Sequence, residues 1–299
     1  MRAIEVDNLH KAYGQVKAVN NLSFSVERGE IFGFIGQNGA GKTTTIRILM
    51  NIINRDKGRV SLLSQEINES IKDRIGYLPE ESGLYKKSKV MKVILYFASL
   101  KGMNKKHAVI RTEELLKRFN LYQHRHIKMG QLSKGMSQLV QFIVAIVHDP
   151  EIVILDEPFS GLDPSNVDVI KGIIHELRKD GKTIFFSAHN MHDIEELCDR
   201  ILMIKDGKKV LYGSLSEIKE EFREEDRFYL KTESNIDELS ELASVEKKKD
   251  CFALKLNKGI SSHDVLSWLL EHKIKVDLFE LAKPNLNEIF LEIAGGNDE

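Results

Sequence analysis

The residues Gly36-Gln37-Asn38-Gly39-Ala40-Gly41-Lys42-Thr43 fit the spacing G-x-x-x-x-G-K-[ST] between a short apolar run, Ile31 to Ile35, and a helical pattern, Thr44 to Met50. Glycines at these positions let the backbone curl until successive N–H groups and the helix N-terminus converge on phosphate oxygens. Lys42 adds positive charge, and Thr43 offers a hydroxyl suited to Mg²⁺. A nucleotide phosphate chain is the ligand that this loop predicts. A second cluster, Ile152-Val153-Ile154-Leu155-Asp156-Glu157, ends a buried-type strand in two adjacent carboxylates. Asp156 suits Mg²⁺, usually through water, while Glu157 on the opposite side of the strand end can polarise an attacking water. A third string, Leu132-Ser133-Lys134-Gly135-Met136-Ser137-Gln138, precedes an apolar helix running to about His148, with Ser133 as its natural N-cap.

These residues need a scaffold, and the patterning supplies one. Up to about residue 215, continuous apolar runs such as Glu30 to Ile35, Ile152 to Leu155 and Thr183 to Ser187 alternate with helical periods, which predicts a parallel sheet covered on both faces. Between Ser88 and Lys128 the pattern turns helical, with Val90, Val93, Ile94 and Phe97 and then Ile110, Leu115, Leu116 and Phe119. The expected fold class is therefore α/β, with a first domain over 1–218 and a helical insertion at about 86–130. A charge-dense stretch, Glu217 to Arg227, marks a boundary. Beyond it the sequence predicts strand (Phe228 to Lys231), helix (Ile236 to Leu242), two strands (Ser244 to Lys248, Phe252 to Leu256), helix (Ser262 to Glu271), strand (Lys275 to Leu281) and a closing helix (Leu286 to Ile293). That order matches a small α+β, ferredoxin-like accessory domain over 226–299.

Composition narrows the function classes. The 299 residues hold 42% hydrophobic and 30% charged side chains with 5 Pro and 20 Gly, a folded rather than a disordered or fibrous balance. Lys+Arg 44 against Asp+Glu 45 leaves a net charge of -1, so no overall positive field gathers nucleic acid, and none is expected as a partner. Cys198 and Cys251 are too few for a disulfide framework or a metal knuckle, as in a reducing cytosol. Met1 to His10 carries Glu5 and Asp7, without the order of a secretory signal, and the longest apolar stretches fall below the ~18 residues a spanning helix needs. If the chain works at a membrane, another chain must span it.

The Leu132–Gln138 string, lying between the glycine loop and the Asp156-Glu157 strand, resembles the signature sequence of ABC ATPases. The resemblance covers residues 1 to about 215 and implies a P-loop NTPase core that hydrolyses ATP with Mg²⁺. It also implies roles for further residues. Tyr13 resembles the aromatic that stacks on adenine, Gly161-Leu162-Asp163 the loop joining two dimer halves, and His189 the switch histidine. Two units, in a homodimer or heterodimer, would pack head to tail, so that Ser133 and Gly135 act across the interface on the partner's γ-phosphate. Membrane permease subunits would be the other partners, placing the chain on the cytoplasmic side of the membrane.

Two positions depart from the family pattern: Glu80 stands after Tyr77-Leu78-Pro79 where glutamine is usual, and Lys134 and Met136 replace common glycine and glutamine. Glu80 is kept as a metal-binding candidate beside Thr43 and Asp156. The tail Ala282-Lys283-Pro284-Asn285-Leu286-Asn287-Glu288-Ile289-Phe290 is similar to the end of an added domain in ATPases of bacterial sodium and drug exporters, which implies export. The alternatives are an ABC-type ATPase acting on ribosomes or DNA, against which stand the single ATPase unit and the absence of a long coiled coil, and a P-loop kinase or GTPase, which the signature helix and His189 disfavour. A permease groove is expected beside Glu80, lined by Gly83, Leu84, Tyr85 and the insertion from Val90.

Overall fold

The structure is a computed structural model that describes residues 1–295 apart from Ser82 and Lys249. The end of the expected accessory domain, 296–299, lies outside the described residues. The chain divides into two compact units, Met1–Leu215 and Ser216–Glu299.

The first unit opens with long strands β1 (Arg2–Tyr13) and β2 (Val16–Glu27), followed by β3 (Ile31–Ile35) and helix α1 (Lys42–Leu49). Next come β4 (Lys57–Leu62), β5 (Gln65–Glu66), the short α2 (Glu69–Lys72) and β6 (Ile75–Leu78). Helices α3 (Val90–Leu100), α4 (Lys105–Arg118) and α5 (Lys134–Ile146) lead to β7 (Ile152–Asp156), α6 (Pro164–Lys179), β8 (Thr183–Ala188) and α7 (Met191–Leu197). Strands β9 (Arg200–Lys205) and β10 (Lys208–Ser214) close the unit.

Two sheets result. One has the order β10-β9-β3-β8-β7-β6, with β9, β3, β8, β7 and β6 parallel and β10 antiparallel at the edge. Every residue of β3, β7 and β8 is buried, as runs of Ile, Val, Leu and Phe covered on both faces must be. The other sheet, β2-β1-β4-β5, is antiparallel. It was not expected from the sequence, where the parallel strands dominate. Its strands alternate buried and open positions because only one face meets the core. Phe24 of β2 joins the sheets, its ring 6.0 Å from Phe32 and 6.1 Å from both Phe34 and Phe185.

The insertion is a helix pair, α3 packing on α4 and both on α5. Two adjacent chain segments close its base: Val90 N–H donates to Ile127 O at 3.0 Å, Met129 N–H to Ser88 O at 2.9 Å and Gly130 N–H to Lys86 O at 2.9 Å.

Helix α8 (Leu215–Glu221) precedes the second unit's strands β11 (Arg227–Lys231), β12 (Ala243–Lys247) and β13 (Phe252–Leu256), helix α9 (Ser262–Glu271), strand β14 (Leu278–Leu281) and helix α10 (Leu286–Gly295). The sheet order β12-β13-β11-β14, antiparallel throughout, is that of a ferredoxin-like fold, as expected. Its first helix departs from expectation. Residues Asp237–Glu241 form a 3-10 turn rather than an α-helix. Burial of Ile236 and Leu239 in the core of the second unit holds this short segment in the tighter 3-10 form.

Candidate functional site

The glycine loop runs from the end of β3 into α1, where the sequence places it. Gly41 caps α1 in a left-handed conformation, φ 105°, and an added Cβ would sit 2.2 Å from Ala18 O. No other residue fits there, so the loop is locked to the start of β2. Lys42 is buried, and its Nζ donates to Gly36 O at 2.7 Å and Gln37 O at 3.4 Å. These bonds hold the ammonium inside the loop's curve. Thr45 Oγ1 ties back to Gly41 O at 2.9 Å and stiffens the first helical turn.

Glu157 follows the last residue of β7 with φ 51°, a strained setting for a residue with a side chain. Its Oε1 lies 3.7 Å from Lys42 Nζ, and its Oε2 accepts from His189 Nδ1 at 2.7 Å. Glu157 is largely buried, whereas 66% of the His189 side chain is open to solvent. The Glu157 carboxylate is thus oriented by an ammonium on one side and an imidazole on the other.

Asp156 is fully buried beside it. Burial pushes its carboxyl up from the usual aspartate range and the charges of Glu80 and Glu157 add to this, against hydrogen bonding from Ser187 and Thr43. Ser187 Oγ donates to Asp156 Oδ1 at 2.6 Å and accepts from the Glu157 N–H at 3.0 Å, so one hydroxyl holds both acidic residues. Asp156 Oδ2 has no hydrogen-bond partner. Tyr77, on the neighbouring β6, has its phenol pushed up to about 12, by burial first and then by Asp156.

One cleft collects Gln37, Asn38, Gly39, Gly41, Lys42, Thr43, Thr44, Glu80 and Glu157, with Ala18 at its wall. Gly36 and Ala40 lie buried beneath it. Among the described residues no three His, Cys, Asp or Glu side chains form a ready-made metal cluster. The orphaned Asp156 oxygen and the Thr43 hydroxyl nevertheless fit Mg²⁺, which takes one or two protein oxygens and completes its shell with phosphates and water.

Tyr13, Ser133, Gly135 and Asp163 are not among the residues lining this cleft. Tyr13 is half exposed at the tip of the β1–β2 hairpin, with Lys11 Nζ 5.5 Å from its ring centre. Ser133 caps α5 by accepting from Met136 N–H at 3.1 Å. A Cβ at Gly135 would lie 3.5 Å from Leu162 Cδ2, so the start of α5 adjoins the Gly161-Leu162 turn. Asp163 caps α6, accepting from Ser165 Oγ at 2.6 Å and Asn166 N–H at 3.1 Å, and these donors pull its carboxyl down from the usual range. The chain thus brings the loop, Glu80, Asp156, Glu157 and His189 together, and keeps the signature string apart from them. The sequence reading missed Ser187. Its only local signal is a hydroxyl two residues before His189, and the pairing of Asp156 with Ser187 across β7 and β8 is what gives it a role.

Comparison with known proteins agrees with this geometry. Residues 19–160 match the ABC transporter family, and 213–294 match the C-terminal domain of DrrA1-3-like ATP-binding proteins. The ABC transporter ATP-binding protein YhaQ of Bacillus subtilis (strain 168) is 38% identical over 98% of both chains. The bacitracin transport ATP-binding protein BcrA of Bacillus licheniformis is 31% identical over 98% of this chain and 97% of its own. A solved ATP-binding subunit of an ABC transporter superposes with a TM-score of 0.70 at 29% identity, covering 74% of this chain and 93% of that one. With the match to YhaQ over 98% of both chains and the glycine-loop cleft in one molecule, the chain belongs to the family of ABC transporter ATP-binding proteins.

Proposed function

We propose that this ATPase subunit cleaves the γ-phosphate of ATP with Glu157 as general base, Lys42 and the loop N–H groups holding the phosphates, and His189 orienting Glu157. The observation that carries this is the placement of the Glu157 carboxylate between Lys42 and His189. Glu157 would accept the proton of the water that attacks the γ-phosphorus, as the bond from phosphorus to the β,γ-bridging oxygen breaks. Thr43, Asp156 and Glu80 would hold Mg²⁺, which when bound neutralises phosphate charge and aligns the oxygens. Tyr13 would stack on adenine.

Ser133 and Gly135 stand apart from the cleft, and this supports a composite site. The Ser133-capped N-terminus of α5 would meet the γ-phosphate bound by a second ATPase subunit, with Asp163 at the junction. The nucleotide chemistry belongs to 1–218 and the region 226–299 is an accessory domain. The bacitracin transport relative and the DrrA-like C-terminal match support export as the direction. No described helix is long and apolar enough to cross a membrane, so separate permease chains would carry the cargo, with this subunit at the cytoplasmic face. Tyr85, exposed and set edge-on to Tyr96 with centroids 5.9 Å apart, supports docking of the permease beside Glu80.

Sedimentation tests the composite site. Glu157→Gln should be monomeric without nucleotide and shift to dimer with ATP. Absence of any ATP-dependent association would exclude the homodimer.

A further inference from the structure

Lys171 lies on the second turn of α6, outside the residues that line the glycine-loop cleft, yet it is buried. It donates to Asp193 Oδ1 at 2.8 Å and Glu196 Oε2 at 2.6 Å, both on α7. Asp193 is buried as deeply as Lys171. On its other side Lys171 Nζ stands 5.8 Å from the ring centre of Phe159, which packs edge-on against Phe186 of β8 at 5.9 Å. Burial opposes the ammonium's charge, but the two carboxylates outweigh it and raise the lysine's pKa.

Both ends of this network lead to the hydrolytic pair. Phe159 lies two residues after Glu157 in a turn closed by Ser160 N–H donating to Glu157 O at 3.2 Å. Asp193 lies in the first turn of α7, directly after His189 and the capping Asn190. The ammonium thus ties α6 to α7 through two carboxylates and touches the turn through the Phe159 ring, and removing it would leave Asp193 buried without its counter-charge. We infer that Lys171 is a positioning residue that holds the turn carrying Glu157 and the helix behind His189 in register, and so sets the Glu157–His189 contact. This rests on the reading of Glu157 and His189 as the hydrolytic pair.

A kinetic cycle over Lys171→Met, His189→Ala and the double variant tests it, with ATP affinity measured by equilibrium titration. Lys171→Met should lower kcat by about 10- to 100-fold while KM and ATP affinity stay within about twofold, the mark of misplaced rather than missing groups. In the His189→Ala background the same substitution should lower kcat no further, and Lys171→Arg should restore most of the loss. An equal fall in both backgrounds, or a fall in ATP affinity that matches the fall in kcat, would overturn the inference. Should Lys171→Met fail to fold because Asp193 is left buried and unpaired, Asp193→Asn takes its place in the cycle with the same expectations. If His189→Ala alone hydrolyses ATP at the wild-type rate, the hydrolytic reading itself fails and Lys171 has nothing to act through. If His189→Ala is slow but Lys171→Met is not, only the positioning role is lost.

Discussion

His189 Nδ1 sits 2.7 Å from Glu157 Oε2, joining the residue after β7 to the residue after β8. The carboxylate accepts, so the imidazole nitrogen donates. This leaves the other carboxylate oxygen, Oε1, turned toward Lys42 at 3.7 Å, on the side where the phosphates would lie.

Glu157→Gln removes the proposed base but keeps its shape and its hydrogen bond to the imidazole. Single-turnover hydrolysis should slow by about 10²- to 10⁴-fold while equilibrium ATP binding persists. Hydrolysis at the wild-type rate would exclude Glu157 as the base.

Lys42→Ala deletes a buried cation already held by the Gly36 and Gln37 carbonyls. A hydrogen bond to a charged phosphate is worth about 1.5–3 kcal/mol, so ATP affinity should fall by about 10- to 150-fold. Calorimetric titration checks this, and an unchanged Kd would remove Lys42 from the phosphate site.

Asp156 is raised by burial, so its charged form is disfavoured in the folded chain. Its contribution to stability therefore declines as pH rises from 3.8, the usual aspartate value, through the raised folded value, and is lowest above that. Asp156→Asn should raise the nucleotide-free Tm at pH 7 by about 2–4 °C per kcal/mol of relief. The gain should vanish at low pH, and Mg²⁺-dependent hydrolysis should fall. Calorimetric melts across pH that show no gain at neutral pH would refute the argument.

Ser187→Ala leaves Asp156 Oδ1 and the Glu157 N–H without their shared hydroxyl. The expected cost is about 1–3 kcal/mol in stability, together with slower hydrolysis, and Ser187→Thr should rescue both. Denaturant titration measures the first and steady-state turnover the second.

Tyr85→Asp places a charge in the ring cluster of Tyr85, Tyr96 and Phe97. Permease co-purification should be lost, while ATP affinity of the isolated chain changes by less than about twofold because the cluster is outside the cleft. Full co-purification would put the docking surface elsewhere.

The glycine loop was legible in sequence because its geometry is local: Gly41, Lys42 and Thr43 are placed by the backbone of neighbouring residues. The buried strand ending in Asp156 and Glu157 was legible for the same reason, and so was the strand order of the second unit. The 3-10 turn at Asp237–Glu241 was not, since a short segment's form is settled by what buries Ile236 and Leu239. Nor was the antiparallel sheet of β1, β2, β4 and β5, which depends on pairings as distant in sequence as Ile4 with Leu62. The Asp156–Ser187 register, the Glu157–His189 contact and the Lys171 bridge likewise join residues distant in sequence. Tertiary packing alone decided them, because a hydrogen bond of under 3 Å requires two backbones to be placed together, and no spacing along one chain encodes that distance.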